Sequence, residues 1–175
     1  AGNYYASDEA AAAGSVASIT SANGTTTYYA SFEAAMTALH ENETITLWKD
    51  VNPLDEGTTV RNNAVITLPA GVTLNGNDHT ITAGTWTTDA NGDPQFHILG
   101  VADIADGEEN RVTVKNLTIV GNATTKHGFN AYGSTNTPEV TLDNVTIRNC
   151  GTAAVVVNHA NATATDLKTS GNVWG

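Results

Sequence analysis

Of the 175 residues, 40% are hydrophobic and only 14% charged, a balance that favours a folded core over a disordered chain. Seven Lys and Arg stand against eighteen Asp and Glu, a net charge of −11. A surface of that sign repels phosphate backbones and anionic lipid, which argues against nucleic-acid partners and against docking on membranes. Charge is replaced by 28 Thr and 19 Asn, residues of strands and tight turns. No apolar run reaches the roughly 18–20 residues of a membrane span, so no membrane insertion is expected. The single Cys150, in Ile147-Arg148-Asn149-Cys150-Gly151, reads as a small buried apolar residue rather than a reactive thiol. A low-charge, Thr/Asn-rich chain with one cysteine has the composition of an exported protein, secreted or attached to a bacterial cell wall.

Residues 1–14 are small, polar and aperiodic and read as an N-terminal arm or linker. Val16–Thr20 and Thr25–Tyr29 are β-prone runs around Asn23-Gly24, a strong hairpin signal. Ser31 then offers an N-cap, and Phe32, Ala35, Met36 and Leu39 fall on one face of a short helix over 31–40. From Glu43 the period changes to two, in Thr44-Ile45-Thr46-Leu47-Trp48, Ala64-Val65-Ile66-Thr67-Leu68 and Val72-Thr73-Leu74. A self-comparison finds Val112-Thr113-Val114-Lys115-Asn116-Leu117-Thr118-Ile119 repeated as Val140-Thr141-Leu142-Asp143-Asn144-Val145-Thr146-Ile147. A degenerate third copy runs from Ala162 to Thr169, and Val72–Thr82 is a relative with two extra turn residues. In each copy the apolar residues share one side until Asn116, Asn144 or Asp166, which must therefore be a one-residue corner. Asn tolerates the left-handed backbone such a corner needs, and its amide can bond to the equivalent Asn of the next copy. Repeats of this kind predict stacked coils with parallel pairing.

These corner-centred copies resemble the right-handed parallel β-helix of the pectin-lyase-like superfamily. Tyr28–Ala35 followed by Glu43-Thr44-Ile45-Thr46-Leu47-Trp48-Lys49-Asp50-Val51 is similar to the N-terminal segment of many bacterial cell-surface proteins of that fold. The resemblance spans about residues 16–175. It implies an all-β, right-handed parallel β-helix with an N-terminal hairpin and a short capping helix. The expected organisation is an arm at 1–14, a cap at 15–60 and coils over 61–175. Asn172-Val173-Trp174 reads like the beginning of another coil, so further coils of a parent chain are an expected partner.

The resemblance covers both enzymes and adhesins. Polygalacturonase-like hydrolases carry an Asn-Thr-Asp strand, an Asp-Asp pair, a Gly-His-Gly and an Arg-x-Lys, and here only Lys126-His127-Gly128 comes near. The lyase motif around a basic Arg is missing at Arg61, Arg111 and Arg148, and pectin methylesterase motifs are also missing. Asp143 and Asp166, beside corners, read as solvated or turn residues rather than an acid–base pair. No catalytic residue is assigned. The leading expectation is a non-catalytic extracellular module acting in adhesion or glycan binding, with a host or cell-wall glycan or a protein as ligand. Alternatives are the N-terminal part of a polysaccharide lyase or glycoside hydrolase, and a structural spacer of a cell-wall protein.

The candidate ligand contacts are Trp86, Phe96, Tyr132, His127 and His159. A long insertion from Gly84 to Asn110 holds Asp89, Asp93, Asp103, Asp106, Glu108 and Glu109; Trp86 and Phe96 bracket its acidic loop, and an exposed Trp86 beside Asn and Asp would suit a sugar. The competing reading is that Trp86 covers the apolar interior where the insertion departs. Asp89, Asn91 and Asp93 present oxygens at alternate positions, as at the start of a Ca²⁺ loop. Gly92 comes too early and no Glu follows at the twelfth position, so an Asn-Gly turn is preferred and no cofactor is expected.

Overall fold

The computed structural model describes residues 13–57, 64–104 and 109–174. Most of the expected arm (1–12), the boundary at 60/61, and Asp106 and Glu108 of the acidic insertion lie outside these residues. The hairpin pairs β1 (Ala17–Thr20) with β2 (Thr26–Tyr29) in antiparallel register, and Gly24 supplies the positive φ of its turn. Helix α1 (Phe32–Ala38) starts where Ser31 accepts the Ala34 N–H on its hydroxyl at 3.1 Å. Phe32, Ala35 and Met36 bury its apolar stripe, which packs against β1 and β2.

The chain then alternates between two sheets. The larger receives β3 (Thr44–Leu47), β5 (Thr73–Asn75), β6 (Thr80–Thr82), β8 (Arg111–Val120), β10 (Glu139–Arg148) and β12 (Asn161–Ser170). The smaller receives β4 (Ala64–Leu68), β7 (His97–Val101), β9 (Phe129–Tyr132) and β11 (Val155–Asn158). One hydrophobic cluster draws on both sheets and on α1.

This topology corrects the expectation of an all-β, right-handed parallel β-helix. The eight-stranded sheet is mixed, with β1 antiparallel to both β2 and β3, while the four-stranded sheet is parallel throughout. The described residues thus form two sheets of unequal size with one helix, not a uniform solenoid. The physical reason lies in how local the repeat is. Only the 112–119 and 140–147 segments match closely, whereas the Asn23-Gly24 turn commits the first strands to antiparallel pairing.

Where the repeat is strong, its consequences hold residue by residue. Val140, Leu142, Val145 and Ile147 lie opposite Val112, Val114, Leu117 and Ile119 in parallel register, and all eight are at most 2% exposed. Burial of such side chains contributes about 1.5–3 kcal/mol each. The corners are left-handed, with φ of 52° at Asn116, 54° at Asn144 and 52° at Asp166. Asn144 Nδ2 donates to Asn116 Oδ1 at 3.0 Å, and Asn116 Nδ2 to Asn75 Oδ1 at 3.4 Å. The degenerate copy β12 keeps the register against β10. Its Ala162 and Ala164 stay exposed, because no described strand pairs with its outer edge.

Candidate functional site

The four-stranded sheet carries a cleft. Ile66, Leu99, Phe129 and Val155 align across its strands, and the first three are fully buried. The next row is Thr67, Gly100, Asn130 and Val156. Side chains alternate along a strand, so this row takes the opposite face. A cleft of about 280 Å³ opens there, lined among others by Thr67, His97, Gly100, Asp103, Asn130 and Tyr132. Gly100 keeps it open, since a Cβ at that position would meet Ala64 Cβ at 3.0 Å. Tyr132 stands on its wall at 46% exposure. Asp103 is oriented by the Ser134 hydroxyl, which donates to its Oδ1 at 2.9 Å.

His97, part of this lining, stacks on His127, with ring centroids 4.7 Å apart and planes inclined by 19°. They expose only 8% and 9% of their surfaces. Parallel rungs bring them together, since Ile98 N–H donates to His127 O and Leu99 N–H to Gly128 O. Gly128 is required here, because a Cβ would press into Ile147 Cγ2 and the Ala154 carbonyl at 2.8 Å. The His127 Nδ1 lies 2.6 Å from Thr152 Oγ1 and 3.4 Å from the Ala153 nitrogen, and Thr152 Oγ1 in turn bonds the Lys126 carbonyl. His97 Nδ1 is buried without a partner. Burial, then neighbouring His127, then Lys126 push the His97 pKa down to about 4. Burial first and then Lys126 also lower that of His127. Both rings are therefore neutral at pH 7, a state that buried imidazoles without an anionic partner must adopt.

The other expected contacts are distributed differently. His159, itself in left-handed backbone at φ 49°, lies with Nδ1 3.0 Å from Gly133 O, so it pins the segment after Tyr132 rather than lining the cleft. Trp86 and Phe96 pack on each other at 5.9 Å and against the core. Trp86 also spends its Nε1–H on Ala83 O and its backbone N–H on Thr124 Oγ1. Both rings are thus part-buried against the core. Asp89 Oδ1 accepts the N–H groups of Asn91 and Asp93 at 2.8 and 2.9 Å, so the Asp-x-Asn-x-Asp run is a turn closed by its own first carboxylate. Among the described residues no group of three or more His, Cys, Asp or Glu is placed to hold a metal ion, and no helix is long and apolar enough to cross a membrane.

His97 carried no signal in the sequence. It opens an ordinary strand run, His97-Ile98-Leu99-Gly100-Val101, and meets His127 only through cross-strand register. No protein-family model matches the chain, and no curated protein or solved structure matches it either.

Proposed function

We propose that the chain is a non-catalytic module of a secreted or surface-attached protein that binds a neutral glycan in the Tyr132 cleft. The observation that carries this reading is the cleft's wall, where a half-exposed aromatic ring stands beside an amide, a hydroxyl and a carboxylate. A sugar offers a C–H face for the ring and hydroxyls that both donate and accept, and Asn130 and Asp103 answer these roles. A net charge of −11 disfavours polyanionic glycans.

Support for a binding rather than a catalytic role comes from the same lining. Glycoside hydrolysis commonly uses two carboxyl groups about 5–9.5 Å apart. Among the described residues of the cleft only Asp103 carries one, and Ser134 already engages it. His97 is neutral and held in a stack, with its Nδ1 out of reach.

Affinity electrophoresis through gels containing mannan, xylan, hydroxyethylcellulose or polygalacturonate tests the reading. Retardation by at least one neutral polymer, abolished by Tyr132→Ala and absent with polygalacturonate, is the expected result. Free migration in all four gels, or retardation that survives Tyr132→Ala, would overturn it.

A further inference from the structure

A second groove, of about 390 Å³, lies on the rungs that precede the four-stranded sheet. Its floor is a short stack of backbone. Lys126 N–H donates to Phe96 O at 2.8 Å, Thr152 N–H to Lys126 O at 3.1 Å, and Trp174 N–H to Thr152 O at 3.0 Å. Trp174 is further held by a parallel bridge to Ala153. Its backbone is therefore anchored while the residue remains 61% exposed. The opposite wall is the 89–95 turn, held by the Asp89 bonds already described and by Gln95 Nε2, which donates to Asp93 O at 3.0 Å. Asp89, Asp93, Gln95, Lys126 and Thr152 line the groove with Trp174.

This lining discriminates among ligand classes. A free cation would find Trp174 and the carboxylates but also the Lys126 ammonium. A polyanion would meet two carboxylates and the chain's overall negative charge. A wholly apolar molecule would cover Asp89, Asp93 and Lys126 without replacing their water, which is costly. A neutral saccharide ring alone uses every group: its C–H face covers the indole, its hydroxyls donate to the carboxylates, and they accept from Lys126.

We propose that this groove is a second glycan subsite, with Trp174 as the platform for one neutral pyranose ring. The proposal rests on the glycan reading for its ligand class and on separate side chains for its location. The two sites meet in the 126–130 segment, where Lys126 faces the groove, Asn130 faces the cleft, and His127 between them bonds Thr152.

Tryptophan fluorescence tests it, because the indole N–H groups of Trp48 and Trp86 are bonded within the protein to Ser18 and Ala83, leaving Trp174 as the most exposed reporter. The intact chain is titrated with cellotetraose, xylotetraose, mannotetraose and chitotetraose, and binding is measured in parallel by calorimetry. At least one of the four is expected to shift the emission. Trp174→Ala should weaken binding of that sugar about tenfold, Trp174→Phe should retain most of it, and Tyr132→Ala should leave the emission change in place. Melting curves confirm that each variant is folded, which the exposure of Trp174 leads one to expect. An unchanged emission with all four sugars, or binding indifferent to Trp174→Ala, would overturn the subsite. Loss of binding on Trp174→Ala with none on Tyr132→Ala would leave the subsite standing and refute the Tyr132 cleft instead.

Discussion

Replacing His97 by Phe isolates the cost of burying a titratable ring. In the folded chain His97 has a pKa of about 4 against an ordinary 6.5. Its lowered value means that the unfolded chain takes up the proton first, so the stability it contributes is complete above pH 6.5 and is lost as the pH falls toward 4. A difference of about 2.5 units, at 1.36 kcal/mol per unit, corresponds to a loss of about 3 kcal/mol, of which about 2 kcal/mol is gone by pH 5. His127 titrates in the same direction. Phe preserves a flat ring for the stack, removes the orphaned Nδ1 and cannot be protonated. Urea unfolding of both proteins between pH 7.5 and 4.5 separates this effect from the common titration of surface carboxylates. The wild type should lose about 2–3 kcal/mol relative to His97→Phe over that range. A stability difference that does not change with pH would show that His97 is not a buried neutral group and would refute the reasoning.

Three further outcomes follow from the packing. Leu142→Ala, in the interior of β10 at 1% exposure, should cost about 2–5 kcal/mol in urea unfolding, against roughly 1 kcal/mol for Leu167→Ala on the edge strand β12. Equal costs would mean that the edge strand is covered. Asn144→Ala should lower stability by about 1–3 kcal/mol, since Ala tolerates φ 54° poorly and the bond to Asn116 is lost. Asn144→Gly should recover about 1 kcal/mol of this in a thermal melt, and a Gly variant no better than Ala would contradict the backbone argument. Cys150 is 1% exposed with its thiol pushed up to about 11, so a thiol reagent should label it only in denaturant, and rapid labelling of the native chain would refute its burial.

Much of the local architecture was legible in the sequence because it depends on single residues. Asn23-Gly24 specified a hairpin, Ser31 a helix start, and Asn116, Asn144 and Asp166 the left-handed corners, each through a conformational preference that acts within a few positions. The parallel register of β8 and β10 followed from two matching apolar patterns. The uniform solenoid did not follow, because β4 and β7 carry no comparable repeat and the first strands obey their turn. Site geometry was less legible still. His127 and Tyr132 were expected as contacts, yet the partner of His127 is His97, thirty residues earlier and visible only once the rungs are stacked. Trp86 packs against Phe96 and bonds Ala83 O, while Trp174 lines a groove with Lys126 and Thr152. Exposure of an aromatic ring is settled by tertiary packing, which local sequence does not encode.

The central claim is that the outer face of the four-stranded sheet binds a neutral glycan. Its most direct test is an amide NMR titration of the isotope-labelled chain with whichever neutral polymer retards it, supplied as a short oligosaccharide. The account predicts shifts concentrated at Thr67, Gly100, Asn130 and Tyr132, with β8 and β10 unmoved. Shifts confined to the eight-stranded sheet, or none at saturating sugar, would contradict it.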